Sequence, residues 1–302
     1  MANCCFCYQE AGGDKYHEHC CKGFFEGDAA PALILDSTVQ DSLGLDTIRQ
    51  RIAVTGVQPK LPVYFQDQRL SIGLSGKYIL KPPHPIYPML PENEDLTMHL
   101  ASLFQLETCE HALWKATGGQ MIYLVKRMDR HNGSKIHMED FCQLSELPTT
   151  EKYRGSYERI GKLVAKYCTD ATTDLRRYFE LVLFSYLTGN ADMHLKNFSI
   201  LHLDAGIRLS PAYDLLNVAL ANPADEDELA LTLNARKRKI RLADFIVLAN
   251  SLQIPVATRD DVFHQFVSYN TKVAALINAS FLDETHKERY QFIWSQRQQI
   301  FQ

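Results

Sequence analysis

Residues 181–215 impose an order of elements that most chains could not satisfy: an apolar run, a polar loop, two strand-like runs around a turn, and a second acidic residue. The apolar run Leu181-Val182-Leu183-Phe184 leads into Gly189-Asn190-Ala191-Asp192-Met193-His194-Leu195-Lys196-Asn197. A carboxylate, an imidazole, an ammonium and an amide thus fall within six residues, Asp192 to Asn197. Polar loops between apolar elements are where functional groups concentrate. Beyond the loop, Phe198-Ser199-Ile200-Leu201-His202-Leu203 and Ile207-Arg208-Leu209 flank Asp204-Ala205-Gly206 and predict a hairpin. It ends at Pro211-Ala212-Tyr213-Asp214-Leu215. Alone, the Asp-to-Asn spacing suits turn chemistry on a surface loop as well. The hairpin decides, because it returns Asp214 to the side of Asn197.

An Asp followed five residues later by an Asn has the relation of base to metal ligand in the catalytic loop of kinases, where a second Asp beyond a hairpin completes the Mg2+ ligands. Upstream segments fit that order. In Ile52-Ala53-Val54-Thr55-Gly56-Val57-Gln58-Pro59-Lys60-Leu61 a single Gly among small and hydroxyl residues could wrap phosphate with backbone N–H groups. It matches neither the Walker pattern nor a triple-glycine loop, and a plain turn is the alternative. Lys77-Tyr78-Ile79-Leu80-Lys81 predicts a strand stopped by Pro82 and Pro83, with Lys81 at its end, either as a phosphate-pairing Lys or as a solvated strand terminus. Glu92-Asn93-Glu94 opens a helix with Leu96, Leu100, Leu103 and Phe104 on one face, and Glu94 stands where it could pair with Lys81. Met121–Val125 predicts a buried strand that runs into Lys126-Arg127-Met128-Asp129-Arg130. Composition then turns from strand-rich to helix-rich, which places a hinge there and a crevice suited to a flat adenine. Helices are expected around Ile160–Tyr167 and Tyr178–Ser185, and three more close the chain, marked by Leu242 and Phe245, by Val262 and Phe266, and by Tyr290 and Trp294. The acidic run 223–228 and basic run 236–239 read as solvated loop tips.

Charge narrows the partners. With Lys plus Arg at 32, Asp plus Glu at 36 and a net charge of −4, no global basic field recruits nucleic acid or an anionic membrane. The first residues lack the basic region and apolar core of a secretory signal, so a cytoplasmic location is expected. Five of the eight cysteines fall in the first 21 residues, which without export argues for metal or free thiols over disulfides. Cys4, Cys7, His17 and Cys20 form Cys-x2-Cys-x9-His-x2-Cys, with Cys5, His19 and Cys21 as spare donors. Two close pairs across a short loop can give Zn2+ its tetrahedron; a small thiol-rich cap is the alternative.

With those pieces placed, residues 50 to 300 resemble the HipA family of toxin kinases. The resemblance rests on Gly56-Val57-Gln58-Pro59-Lys60, Ile79-Leu80-Lys81, Glu92-Asn93-Glu94 with Met98, Val125-Lys126-Arg127-Met128-Asp129-Arg130, Ile136-His137-Met138-Glu139-Asp140-Phe141-Cys142-Gln143, the Asp192 loop and Pro211-Ala212-Tyr213-Asp214. It implies an α+β, two-lobed protein-kinase-like (HipA-like) fold: a Cys/His-rich lead-in at 1–50, a mixed β-rich N-lobe at 51–125 and a helical C-lobe at 126–302. It implies an ATP- and Mg2+-dependent serine/threonine protein kinase, the toxin of a toxin-antitoxin pair, whose substrate is an aminoacyl-tRNA synthetase and whose antitoxin binds DNA. The small space before residue 50 resembles the short, HipT-like type, in which the family's N-terminal module is a separate small protein.

Roles follow the motif. Asp192 becomes the base or the group that orients the nucleophile; Asn197 and Asp214 hold Mg2+; Val54, Thr55, Gly56, Val57, Gln58 and Lys60 wrap phosphate, and Lys81 pairs with it. Backbone groups of Lys126, Arg127 and Met128 meet adenine, and Asp129 the ribose. His194 and Lys196 either steady the loop and the γ-phosphate or are structural. Ala53 stands where many members carry an autophosphorylated Ser; either Thr55 takes over as the candidate acceptor or self-regulation is absent. Two rival functions remain open: a small-molecule or lipid kinase, and a non-catalytic nucleotide-binding regulator, against which intact Asp192, Asn197 and Asp214 count.

Overall fold

A computed structural model describes residues 3–12, 15–26, 58–66, 69–74, 76–116, 119–131 and 134–302. They divide into two units, one drawn from Met1–Leu96, Cys109–Arg127 and Ala279–Leu282, the other from Thr97–Thr108, Met128–Asn278 and Asp283–Gln302.

The first unit is built on an antiparallel five-stranded sheet. Its strands are β1 (Leu61–Gln66), β2 (Arg69–Ile72), β3 (Tyr78–Lys81), β4 (His111–Lys115) and β5 (Met121–Lys126), in the order β2-β1-β3-β5-β4. Period-two alternation sets its faces. Leu80 lies opposite Leu124, and Leu124 opposite Ala112, so these three share one face; Lys81 and Tyr123 are paired on the other. Against the first face pack Cys5, Phe6, Cys21 and Phe24 from the N-terminal segment and its helix α1 (Glu18–Phe25), joining Leu80, Ile122, Leu124 and Trp114 in one apolar cluster. The segment is hydrogen-bonded to the sheet as well, since Leu113 N–H donates to the Cys5 carbonyl.

Helix α2 (Leu90–Leu103) departs from the single apolar face expected of it. Leu96, Leu100 and Phe104 are buried as predicted, but Glu92, Asn93, Glu94 and Asp95 are buried too. Buried carboxylates must find donors. Asp95 accepts from the Tyr8 hydroxyl (2.6 Å) and pairs with His111 Nδ1 (2.7 Å), tying the N-terminal segment and β4 to one side chain. Proline-containing 90–95 gave no periodic signal for this polar burial.

In the second unit, strands β8 (His137–Asp140), β9 (Ser199–Leu203) and β10 (Gly206–Leu209) form a sheet in the order β10-β9-β8, and β6 (Arg130–His131) pairs with β7 (Ser134–Lys135). The predicted hairpin is β9-β10, with Ile200 opposite Leu209. Helices α3 (Phe141–Leu144), α4 (Tyr157–Tyr167) and α5 (Ala171–Leu187) precede it. Helix α6 (Val218–Ala221) follows, then α7 (Leu242–Ser251), α8 (Val256–Ser268), α9 (Asn270–Ala279) and α10 (Glu284–Gln298). Four helices thus close the described chain where three were expected. The extra one, α9, buries only Val273 and Ile277, too few apolar positions to reveal a period. Phe104 stacks on Phe266, Tyr269 and Trp294 at 4.4, 5.4 and 5.5 Å, which fastens the end of α2 to these helices.

The acidic and basic runs are not independent solvated tips. Arg238 pairs with Glu226 (2.5 Å) and Asp227 (2.8 Å), and Glu228 N–H donates to the Lys237 carbonyl. Asp174 on α5 is wholly buried and receives Arg177, Arg208 and the Leu209 N–H, which anchors β10 to α5. Among the described residues, no helix is long and apolar enough to cross a membrane.

Gly76, just before β3, illustrates how closely the sheet is packed. A Cβ there would lie 2.5 Å from both the N and O of Val63, and backbone cannot swing aside as a side chain can. Gly76→Ala is expected to cost roughly 1–3 kcal/mol, the range for overpacking. Urea unfolding checks it; an unchanged midpoint would mean that β1 tolerates displacement.

Candidate active site

The Asp192 loop starts at a helix stop. Helix α5 ends with Thr188 at its C-cap, and Gly189 follows at φ +67°, the left-handed conformation that glycine adopts without strain. Gly189 N–H donates to the Tyr186 carbonyl (3.0 Å) and Asn190 N–H to the Ser185 carbonyl (2.8 Å), the paired bonds of a Schellman turn. A Cβ at 189 would also meet Asn217 Oδ1 and Ala219 Cβ at 3.0 Å. The apolar helix therefore ends at one defined residue, and the loop leaves in one direction.

Side-chain bonds then fix the loop. Asp192 N–H donates to Asn190 Oδ1 (3.1 Å), His194 N–H to the Asp192 carbonyl (2.8 Å), and Asn197 Nδ2 to that same carbonyl (2.8 Å). The Asn197 amide spends its nitrogen on Asp192, which leaves its oxygen as the acceptor of the side chain. Residues Leu195–Asn197 form a single 3-10 turn, and Asn197 is buried. Lys196 reaches Asp140 Oδ2 at 2.6 Å. Asp140 in turn caps α3, accepting from Gln143 N–H while its own N–H donates to Gln143 Oε1. Of the two readings of Lys196, this contact supports the structural one.

His194 is buried, with Nε2 3.9 Å from Asp192 Oδ1. Burial lowers its pKa, the nearby Asp192 carboxylate opposing, so the imidazole is neutral at pH 7. Its Nδ1 is buried and has no hydrogen-bond partner among the described residues. Asp192 itself is partly exposed, and the Tyr153 hydroxyl donates to its Oδ1. Burial, and after it the Asp192 charge, raises the Tyr153 pKa, which keeps that hydroxyl a donor. The Tyr153 ring meets His194 edge-on at 4.9 Å, and Lys152 and Lys237 lie over it at 5.0 and 6.0 Å. Tyr153 was absent from the sequence-derived set. It lies 39 residues before Asp192 in an irregular stretch, where no spacing rule links it to the loop.

Asp214 comes to the loop through its neighbour. The Tyr213 hydroxyl donates to the Lys196 carbonyl (2.8 Å) and lies 2.6 Å from Ser199 Oγ, so the residue before Asp214 is tied to the one before Asn197. Asp214 has φ +58°, uncommon for a residue with a Cβ and a conformation that costs energy where it is held. Tyr213→Phe is expected to lower stability by about 1 kcal/mol, the net worth of a hydrogen bond. Denaturant titration measures it, and a loss near zero would show that the hairpin alone positions Asp214.

In the first unit, Lys81 is buried, with Nζ 2.5 Å from Glu94 Oε1 and 5.5 Å from the centre of the Tyr123 ring. The pairing expected from sequence is present, and Lys81 is not a solvated strand end. Gln58 Nε2 donates to the Pro82 carbonyl (3.0 Å), and Lys60 is exposed. Ala53, Val54, Thr55, Gly56 and Val57 lie outside the described residues. The N–H groups of Lys126 and Arg127 already donate to the Glu110 and Lys77 carbonyls (both 2.8 Å). Of the backbone groups expected to meet adenine, the N–H groups at 126 and 127 are therefore already used. The Lys126 side chain pairs with Glu26 (2.7 Å), and Arg127 reaches the Leu74 carbonyl (3.1 Å). Asp129 pairs with Arg130 at 2.5 Å.

Removing one member of a buried ion pair typically costs about 3–5 kcal/mol, because the other charge stays behind. Glu94→Ala is expected to fall in that range, and Glu94→Leu with Lys81→Met to cost less than the two single changes together. A double-mutant cycle by denaturant unfolding measures the coupling; strict additivity would sink the pair.

A buried Lys–Glu pair at the end of β3, an Asp-x4-Asn loop after a helix and an Asp that follows a hairpin mark a protein-kinase-like α+β fold. Residues 52–275 match the model of the HipA-like C-terminal domain family. The chain belongs to that family. It is 29% identical over 210 residues to the serine/threonine-protein kinase toxin HipA of Shewanella oneidensis, covering 62% of this chain and 47% of that protein. A Sinorhizobium fredii protein, Y4mE, whose name gives kinase only as a provisional assignment, is 32% identical over 198 residues, covering 62% of this chain and 47% of its own. The chain spans about half the length of the curated relatives it matches. Among solved structures, Shewanella oneidensis HipA in complex with HipB and operator DNA superposes with a TM-score of 0.71 at 24% identity, covering 82% of this chain and 65% of that one. The Helicobacter pylori proinflammatory kinase CtkA superposes at 0.52 and 15% identity, over 76% and 87%.

Proposed function

We propose that the protein is an ATP- and Mg2+-dependent serine/threonine protein kinase. The observation that carries the reading is the closed ring of contacts joining Asp192, Asn197 and the Asp214 segment through the Asp192 carbonyl and the Tyr213 hydroxyl. Two oxygen-bearing side chains on one rigid loop system match what Mg2+ takes from protein when nucleotide phosphates supply the rest. Asn197 and Asp214 would hold that ion, which would supply positive charge against the charge of the phosphates. Lys81, held by Glu94, pairs with phosphate. The Asp192 carboxylate orients the acceptor hydroxyl and takes its proton. The Tyr153 hydroxyl now sits on Asp192 Oδ1 in the manner an acceptor hydroxyl would, and it must yield that oxygen to substrate. The neutral imidazole of His194 packs beneath Asp192 without competing for the proton.

The named toxin among the relatives, and the HipB and DNA in the solved complex, support a further reading. In it the chain is the toxin of a toxin-antitoxin pair, is restrained by a DNA-binding antitoxin, and acts on an aminoacyl-tRNA synthetase to arrest translation. The short HipT-like type, with a separate small N-terminal protein as partner, belongs to the same reading.

Incubation with radiolabelled ATP and a cell lysate, followed by identification of the labelled protein, tests both levels. Asp192→Asn and Asp214→Ala are each expected to lower phosphate transfer by about 100-fold or more. They should differ in calorimetry with Mg-ATP: Asp214→Ala weakens binding because a metal ligand is gone, whereas Asp192→Asn leaves it nearly intact. Equal loss of nucleotide affinity in both variants would overturn the role assignment. A labelled band other than a synthetase would leave the kinase and remove the proposed substrate.

A further inference from the structure

Seven thiol or imidazole donors crowd the first 21 residues, and the fold separates them into two groups. Cys5 and Cys21 are buried in the apolar cluster on the sheet with Phe6, Phe24 and Trp114 and belong to no donor group among the described residues. Cys4, buried in that same cluster, converges with Cys7, His17 and Cys20, one donor atom from each lying within 4.8 Å of all the others. His17 Nδ1 is 3.4 Å from Cys7 Sγ and 3.9 Å from Cys20 Sγ. A tetrahedral ion with bonds of about 2.3 Å to sulfur and 2.0–2.1 Å to nitrogen sets sulfur–nitrogen separations of roughly 3.5 Å and sulfur–sulfur separations of roughly 3.8 Å. The two sulfur–nitrogen separations stand close to that value, and all four donor atoms lie within 4.8 Å of one another.

From these contacts we propose that Cys4, Cys7, His17 and Cys20 bind one structural zinc ion. The surrounding hydrogen bonds are those a ligand set needs. His17 Nε2 donates to the Glu10 carbonyl (3.0 Å), which places the ring proton on Nε2 and leaves the Nδ1 lone pair facing the sulfurs. His17 N–H is directed at Cys4 Sγ (3.3 Å), a donor suited to a thiolate. The knuckle turn is closed by Tyr8 N–H to the Cys4 carbonyl (2.9 Å) and Cys4 N–H to the Gln9 carbonyl (2.7 Å), and Cys20 enters from the first turn of α1. A cap that used thiols only for packing would bury them as it buries Cys5 and Cys21. Cys7 and Cys20 are part-exposed, yet both converge on His17. His19 stacks on His17 at 5.2 Å and is exposed, outside the four.

With all four positions filled by protein, the ion has no site for water or substrate, so its effect is on folding. It staples the knuckle to α1, and both lie on the sheet face opposite Lys81. The test uses the full chain, produced without a polyhistidine tag. Elemental analysis is expected to find about one zinc per chain, retained in His19→Ala and lost in the Cys7→Ser, Cys20→Ser double variant. Because that variant could fail to fold, cobalt is added to the metal-stripped parent chain as a second probe. The expected result is the visible absorption of a tetrahedral cobalt centre with thiolate charge transfer, and a Tm raised above that of the stripped chain. A folded, metal-free protein whose Tm is indifferent to chelator and to cobalt would overturn the site. So would zinc retained by the double variant, iron in place of zinc, or a disulfide among Cys4, Cys7 and Cys20 detected by mass.

Discussion

The hydrogen bond from Asn197 Nδ2 to the Asp192 carbonyl shapes the second unit's candidate site, because it makes two residues with different proposed tasks parts of one ring. Five residues separate them, enough for a loose loop. The bond removes that freedom, and the Schellman turn at Gly189 fixes where the ring begins. Every further constraint is attached to this ring: Lys196 runs outward to Asp140 and the cap of α3, and Tyr213 draws in the Asp214 segment. Polar side chains aimed at backbone carbonyls position groups more narrowly than apolar packing does, since a hydrogen bond weakens steeply with angle.

Charge burial follows the same logic in both units. Asp174 has three donors and orders β10 on α5; Asp95 has a phenol and an imidazole and orders the N-terminal segment on the sheet. Both hold elements in place, which makes them supports whose loss would be felt as misplacement. Lys81 and Glu94 differ, since their attraction offsets a desolvation cost that two apolar residues would not incur. Keeping an ammonium at the end of β3 is therefore better explained by a task for that charge than by stability.

Much of this was legible in the sequence, and the reasons are local. The β9-β10 hairpin had alternating apolar residues about Asp204-Ala205-Gly206; the strand at Tyr78–Lys81 had prolines to stop it; the Asp-to-Asn spacing is a fixed number. What escaped depends on contacts between distant positions. Tyr153 reaches Asp192 from a stretch without periodicity, and Asp140 reaches Lys196 from 56 residues away. Helix α2 hid its buried acids because a carboxylate paired in the interior and one solvated at a surface look the same in a sequence. The acidic and basic runs near 226 and 238 were each readable as charge, but not as partners.

The first unit binds its N-terminal segment tightly to a sheet whose opposite face carries Lys81. A five-stranded sheet leaves both faces to be covered, and its twist is set in part by what packs on each. Phe6, Cys21 and Phe24 cover one face and continue the cluster through Leu80 and Leu124. Leu80 is the residue next to Lys81, so pressure on one side of β3 fixes the direction of the side chain on the other. A shift of one residue in the β3-β5 register would carry Lys81 into the apolar cluster and away from Glu94. The N-terminal segment thereby helps set the placement of the ammonium from the opposite face of the sheet.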